Sequence, residues 1–155
     1  MMSFAMQNFV PHEMKMSVIK VFTYGDNDIS GVVVNPYYKK EMYFKNFAQL
    51  IFIIEDLMDS LNFPQKSMES RVFSIETDNV RHRKIIEGEA PPGSVVTASF
   101  QLSVYFRQNA SWQGNLVWMD KKMESSFRSV LELITLIDNV MEDVQNAKPE
   151  GKTRL

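Results

Sequence analysis

The residues of this chain whose types could do chemistry are two histidines and two groups of carboxylates. The sequence has no cysteine. The absence of cysteine excludes disulfides, zinc–thiolate sites, iron–sulfur clusters and cysteine nucleophiles. Acid–base or nucleophilic catalysis needs a base that titrates near neutral pH beside a nucleophile. His12 lies near the N-terminus and His82 in a linker, and neither belongs to a motif that provides such a pair. We therefore find no catalytic constellation, name no catalytic residue and expect a non-enzymatic protein.

Metal and nucleotide sites have equally little support. Two groups of carboxylates have helical spacing, namely Glu55, Asp56 and Asp59, and Asp138, Glu142 and Asp143. Clustered carboxylates can bind cations, but this spacing directs both groups away from the apolar stripe of their helix, which predicts a solvated face. The six glycines form neither G-x-G-x-x-G nor a phosphate-binding loop. We expect no metal and no cofactor.

A run of basic residues and a set of aromatic residues together suggest nucleic-acid binding as an alternative function. Arg81-His82-Arg83-Lys84 could combine with a stacking platform for single-stranded nucleic acid made of Tyr105, Arg107, Trp112 and Trp118. A solvated loop explains the run equally well, and a cross-strand pair or core packing explains both tryptophans. Nucleic-acid binding is therefore the alternative.

The composition is that of a soluble globular protein, with 45% hydrophobic and 23% charged residues and a net charge of −2. No apolar run is long enough to span a bilayer, so we expect a cytoplasmic protein without a membrane partner. Residues 1–16 lack the basic and apolar blocks of a signal peptide. Met14 or Met16 could be the natural start, but we favour an extension that packs through Phe4, Met6 and Phe9.

The chain repeats itself. Residues 19–62 align with residues 102–145 at an offset of 83 without a gap. The identical pairs include Gly31/Gly114, Val34/Val117, Lys39/Lys122, Glu41/Glu124, Phe44/Phe127, Leu50/Leu133, Ile51/Ile134, Ile54/Ile137 and Met58/Met141. Such self-similarity indicates two copies of one unit. We predict two tandem β-β-β-α pseudo-repeats packed as one α+β body, with antiparallel sheets covered by helices.

Each copy has the pattern of three strands and a helix. In the second copy Val96 to Arg107 alternates with a period of two, which places Phe106 on the buried face and Arg107 on the wet face. The second strand opens at Gly31 or Gly114, where a glycine indicates a bulge or a close backbone approach. The predicted segments are an N-terminal extension at 1–16, a first unit at 17–66, a connecting segment at 67–93 with an extra strand at 71–75, a second unit at 94–146 and a flexible tail at 147–155.

The helix starts are the sharpest local signals. Ser129-Val130-Leu131-Glu132 is a capping box, and Asn46-Phe47-Ala48-Gln49 is the same device with conservative replacements. Apolar residues also lie off the main stripe of each helix, at Phe52 and Ile53 in the first and at Leu131 and Leu136 in the second. They indicate a second contact, either between the copies or with another subunit.

The second copy resembles a known family. It contains an arginine-bearing strand, a Trp-x-Gly turn, a Trp strand and a Phe-Arg-Ser-x-x-Glu-Leu helix start, at 106–114, Trp118 and 127–134. This pattern resembles a family of small bacterial proteins, common in clostridia and their relatives, that has no established activity. The first copy departs from it, with Ile29-Ser30-Gly31 at the turn and Tyr24 at the arginine. The resemblance implies a bacterial cytosolic origin and the β-β-β-α unit, and it implies no chemistry.

Apolar and aromatic residues are plentiful in this sequence, whereas candidate catalytic groups are scarce. We therefore predict a non-enzymatic protein-interaction or scaffold module that binds a protein partner or associates with itself. The predicted interaction surface consists of Tyr105, Arg107, Asn109, Trp112, Phe52 and Ile53. Besides nucleic-acid binding, a small-ligand-binding domain with its pocket between the two copies is a further alternative.

Overall fold

The fold is α+β, as predicted: one six-stranded antiparallel sheet covered by two helices, with its strands side by side in the order 42–44, 28–34, 16–25, 98–108, 111–118 and 123–127. The computed structural model describes residues 10–65, 88–108 and 111–153, with side chains described up to residue 147. The strands are β1 (Met16–Gly25), β2 (Asp28–Val34), β3 (Met42–Phe44), β4 (Ala98–Gln108), β5 (Ser111–Trp118) and β6 (Met123–Phe127). The helices are α1 (Phe47–Leu61) and α2 (Val130–Thr153), and a 3₁₀ turn at His12–Lys15 precedes β1.

The tail and the number of sheets differ from the predicted segments. The tail predicted from residue 147 is helical as far as Thr153, because α2 continues beyond its apolar stripe. The sheet is single because β1 pairs directly with β4. The extra strand predicted at 71–75 and the packing of Phe4, Met6 and Phe9 lie outside the described residues.

The two hairpins have the same register. Val21 pairs with Gly31 in the β1–β2 hairpin, and Val104 pairs with Gly114 in the β4–β5 hairpin. In each hairpin the register then shifts by one residue, between Val21 and Thr23 and between Val104 and Phe106. A one-residue bulge of this kind reverses the face of every residue that follows it.

The paired glycines lie opposite these bulges, in the middle of their strands rather than at the predicted strand start. A Cβ on Gly114 would lie 2.0 Å from the Ser103 carbonyl oxygen, and a Cβ on Gly31 would lie 2.0 Å from the Lys20 carbonyl oxygen. Both would also crowd a phenylalanine ring, Phe127 or Phe44, at 3.0 Å. The sequence prediction of a close backbone approach is confirmed, since only glycine fits at either position.

The central strands join the two halves of the sheet. Met16 pairs with Ser103, Val18 with Gln101, and Lys20 with Ser99. Val18 and Gln101 differ by the same 83 positions as the repeat, so they occupy the centre of this antiparallel pairing.

One core lies between the sheet and both helices. The inward residues of β1 and β4, including Ile19, Val21 and Phe100, are fully buried together with Leu50 of α1 and Ile137 of α2. The sheet contributes its inward residues by strand alternation, and each helix contributes its apolar stripe.

Polar residues fix both helix starts, as the capping boxes predict. The Asn46 side-chain oxygen accepts a hydrogen bond from the Gln49 N–H at 2.8 Å, and the Ser129 hydroxyl accepts one from the Glu132 N–H at 3.1 Å. The Glu132 carboxylate reaches back to the N–H of Arg128 at 2.8 Å. These contacts satisfy N–H groups that have no partner inside the helix.

Candidate interaction surface

The six residues predicted to form an interaction surface do not lie together on the outside of the protein. Tyr105 is 55% exposed and Phe52 is half-buried, whereas Arg107, Trp112 and Ile53 are at most 2% exposed. Asn109 lies outside the described residues. Placing Arg107, Trp112 and Ile53 on the surface was therefore wrong.

The bulge in β4 explains why Arg107 is buried. Strict alternation places Phe106 inside and Arg107 outside, but the extra residue after Val104 reverses the two faces. Tyr105 and Phe106 consequently both face solvent, and Arg107 turns toward the helices. Trp112, opposite Arg107 in the register, is completely buried on the same face, where the regular alternation of β5 places it together with Leu116.

Arg107 ties the second half of the sheet to the helix of the first half. Its guanidinium donates hydrogen bonds to the Asp59 carboxylate at 2.7 Å, to the Pro64 carbonyl at 2.7 Å and to the Met58 carbonyl at 3.3 Å. The buried Glu55 carboxylate lies 3.8 Å from the same group. These contacts neutralise a buried cation and satisfy carbonyls at the end of α1. We call this set the Arg107 clamp.

The other half has a contact at the equivalent positions. Tyr24 precedes Arg107 by 83 residues, and Glu55 precedes Asp138 by the same number. The Tyr24 hydroxyl donates a hydrogen bond to the Asp138 carboxylate at 2.7 Å. That hydrogen bond, followed by burial and by the charges of Asp138 and Glu142, raises the pKa of Tyr24 from 10.0 to about 12. Each first strand thus contacts the helix of the opposite half.

The acidic groups form the solvated faces that helical spacing predicts only in part, because Glu55 is buried and Asp138 is half-buried, whereas the other four carboxylates are exposed. Glu55 is buried against Arg107, and Asp138 accepts the Tyr24 hydrogen bond. In the first group, Asp56 accepts a hydrogen bond from the Tyr38 hydroxyl at 3.0 Å, and burial followed by the Asp56 charge raises the pKa of Tyr38. Within the described residues no three metal-ligating side chains lie close enough to hold an ion.

An open groove lies at the free end of the β4–β5 hairpin, with a volume of about 440 Å³. Its lining combines two aromatic rings, three amide side chains and a hydroxyl with the edge of the Arg107 clamp. The lining residues are Pro64, Gln65, Tyr105, Phe106, Arg107, Gln108, Ser111 and Gln113. We call this feature the hairpin groove. Aromatic anchors with convergent polar groups are typical of recognition surfaces.

Phe106 is the residue of the hairpin groove that sequence reasoning missed. It is 65% exposed, although alternation predicts it to be buried. The corresponding residue of the first half is Thr23, whose hydroxyl hydrogen-bonds the Ser30 hydroxyl at 2.6 Å on the exposed surface. The first half shows that this position accepts a small polar residue, so folding does not require a phenylalanine here. The difference between Thr23 and Phe106 in the aligned repeats is the signal that could have identified it.

One cavity between the two halves is too small for a ligand, whereas the larger hairpin groove also has lining residues from both halves, namely Pro64 and Gln65 of the first and the remainder of the second. A cavity lined by residues of both, including Ser17 and Ile54 of the first half and Leu102 and Val104 of the second, has a volume of about 20 Å³. That volume accommodates about one water molecule. This particular cavity therefore gives no support to a pocket between the copies.

Comparisons with protein-family models, with curated protein sequences and with solved structures found no match for this chain. Neither α1 nor the described part of α2 is long and apolar enough to cross a membrane.

Proposed function

We propose that the protein is a non-enzymatic protein-interaction module and that the hairpin groove receives the partner. The observation that carries this proposal is the exposure of two adjacent aromatic side chains, Tyr105 at 55% and Phe106 at 65%. Aromatic residues are enriched among the side chains that dominate protein–protein binding energies. The amides of Gln65 and Gln113 beside them can bond to the peptide groups of a partner.

We further propose that the module is a duplicated β-β-β-α unit whose two copies form a pseudo-dimer within one chain. The identical registers of the two hairpins and the pairing of Val18 with Gln101 at the junction support this proposal. The equivalent contacts of Tyr24 and Arg107 across that junction support it as well. Residues that are alike in the two copies maintain the shared fold. Positions at which the copies differ are then candidates for a role in binding rather than in folding.

The resemblance of the second copy to the family of small bacterial proteins agrees with a cytoplasmic interaction module. The arginine of that pattern is Arg107 and its turn tryptophan is Trp112, and both are buried here. Their burial also removes them from the stacking platform of the nucleic-acid alternative, and the run from Arg81 to Lys84 lies outside the described residues.

The test replaces residues of the second copy with the residues found at the aligned positions of the first copy. Phe106→Thr copies Thr23 and removes the exposed ring, whereas Leu131→Ala copies Ala48 and removes another exposed apolar side chain that is 71% exposed. Each purified variant is used for affinity capture from an extract of the native cell, and captured proteins are identified by mass spectrometry. The binding constant is then measured with the purified partner.

We expect the wild type and Leu131→Ala to bind one partner with equal affinity, and Phe106→Thr to bind it at least about tenfold more weakly, as befits a central aromatic anchor. Equal binding by all three proteins, or a partner lost only with Leu131→Ala, would contradict the hairpin groove as the binding surface. A wild-type protein that captures nothing would contradict the interaction function.

A further inference from the structure

Edge strand β6 has an exposed outer side. In the described part of the chain β6 pairs with β5 alone, and its residues from Met123 to Ser126 are all exposed. The opposite edge, β3, is only three residues long, and the backbone at Gly88 passes beside its Tyr43 ring, with a Cβ position 3.7 Å away. Long uncovered edge strands are sites at which another strand can pair.

The helix beside β6 is also incompletely covered. Leu136 and Val140 of α2 are half-buried, whereas the equivalent Ile53 and Leu57 of α1 are at most 3% exposed. Leu136 and Val140 lie on the side of α2 opposite Asp138, which faces β1, and therefore on the side toward β6. In the first half Tyr38 covers this side and donates a hydrogen bond to the Ile53 carbonyl at 3.2 Å.

The second half lacks that aromatic cover and carries one exposed apolar side chain on the edge strand, Met123, among polar and charged residues. Lys121 stands where the first half has Tyr38, and Met123, which is 59% exposed, stands where it has Lys40. Lysine at an edge commonly discourages strand pairing, so a methionine there favours it. The edge at β6 is thus the open counterpart of an edge that the first half closes.

We propose that this edge pairs with a second copy of the same chain through antiparallel, twofold-symmetric β6–β6 contact. The charges of Glu124 on β6 and of Arg128 directly after it favour this occupant and select a register. Within one copy Glu124 accepts a hydrogen bond from Asn115 at 3.0 Å and Arg128 lies 3.6 Å from Glu132, and both contacts are exposed, so they can give way to the pairing between copies. With Ser126 opposite Ser126 of the second copy, Glu124 lies opposite Arg128 of the other copy on both sides of the axis. A register centred on Ser125 instead places Lys122 opposite Arg128, which is repulsive. Because the contact is twofold-symmetric, it produces a closed dimer rather than an open chain of molecules. It also brings together the sides of the two α2 helices that carry Leu136 and Val140.

The register is tested by charge reversal in the full-length chain. Glu124→Arg and Arg128→Glu each place like charges opposite one another twice, whereas a mixture of the two variants places opposite charges across a heterodimer. The control variants, Glu41→Arg and Lys45→Glu, make the same changes at the equivalent positions beside β3. Sedimentation velocity over a range of concentrations gives the dissociation constant, and circular dichroism confirms that each variant is folded.

We expect a concentration-dependent dimer for the wild type and for both controls. Each single reversal at β6 is expected to weaken it about tenfold or more, and mixing the two variants or combining both reversals in one chain is expected to restore it. A monomeric wild type, a dimer indifferent to both β6 reversals, or failure of the mixture to reassociate would overturn the proposal. The hairpin groove is not part of this contact, so Phe106→Thr leaves the dimer intact and either proposal can fail alone.

Discussion

Replacing Arg107 with alanine is expected to destabilise the protein more than any surface charge substitution. The Arg107 side chain is 1% exposed and contacts the Asp59 carboxylate at 2.7 Å and the buried Glu55 carboxylate at 3.8 Å. Its loss leaves Glu55 buried without its cation and removes the donor to the Pro64 carbonyl. Breaking a buried ion pair on one side costs about 3–5 kcal/mol, a large fraction of a typical stability of about 5–15 kcal/mol.

The assay is urea denaturation at neutral pH, with the free energy of unfolding extrapolated to water. Lys20→Ala is the matched control, since the Lys20–Glu41 pair spans 3.7 Å with both side chains well exposed. That substitution is expected to change the free energy of unfolding by about 0.5 kcal/mol or less. A double-mutant cycle with Glu55→Gln then measures the coupling between the two buried partners.

We expect Glu55→Gln to cost less free energy of unfolding in Arg107→Ala than in the wild type, because the buried carboxylate has then already lost its contact with the Arg107 guanidinium. If Arg107→Ala unfolds with the same free energy as Lys20→Ala, the Arg107 clamp does not hold the two halves together. An additive cycle would show that Arg107 acts through Asp59 and the helix carbonyls rather than through Glu55.

Three further substitutions test the remaining parts of the fold. Gly114→Ala is expected to cost about 3 kcal/mol or more by denaturation, because its Cβ would meet the Ser103 carbonyl oxygen at 2.0 Å; near-wild-type stability would contradict the close approach. Ser129→Ala removes a helix cap and is expected to cost about 1 kcal/mol in the same assay, with no change in fold by circular dichroism. Tyr24 has a pKa raised from 10.0 to about 12, so its stabilising contact is complete below pH 10.0 and is lost as the pH rises toward 12. Tyr24→Phe should therefore show a shallower fall in melting temperature across that interval, and an unchanged profile would contradict the contact with Asp138.

The arrangement of strands and helices could be predicted from the sequence because the alignment at an offset of 83 residues shows the pattern of each element in two places. Three features depend only on residues close together in the sequence, and the structure contains all of them. They are the alternation in β1 and β4, the apolar stripes of both helices, and the helix caps at Asn46 and Ser129. The glycines indicated a close approach correctly, since a side chain at Gly31 or Gly114 meets backbone atoms.

The candidate surface could not be predicted in the same way because one inserted residue decides it. Alternation continues past Val104 in the sequence, but the bulge exchanges the faces of Phe106 and Arg107. A bulge changes the pairing between strands without changing the pattern along the strand. The ion pair of Arg107 with Glu55 is likewise a contact between residues far apart in the chain, which local patterns do not encode.

The most direct test of the proposed function is amide hydrogen exchange of the protein alone and in complex with its captured partner. The account predicts that binding slows exchange in the β4–β5 hairpin around Tyr105 and Phe106, while the β1–β2 hairpin around Thr23 is unchanged. Protection confined to the β1–β2 hairpin or to the helices, with no change around Phe106, would contradict it.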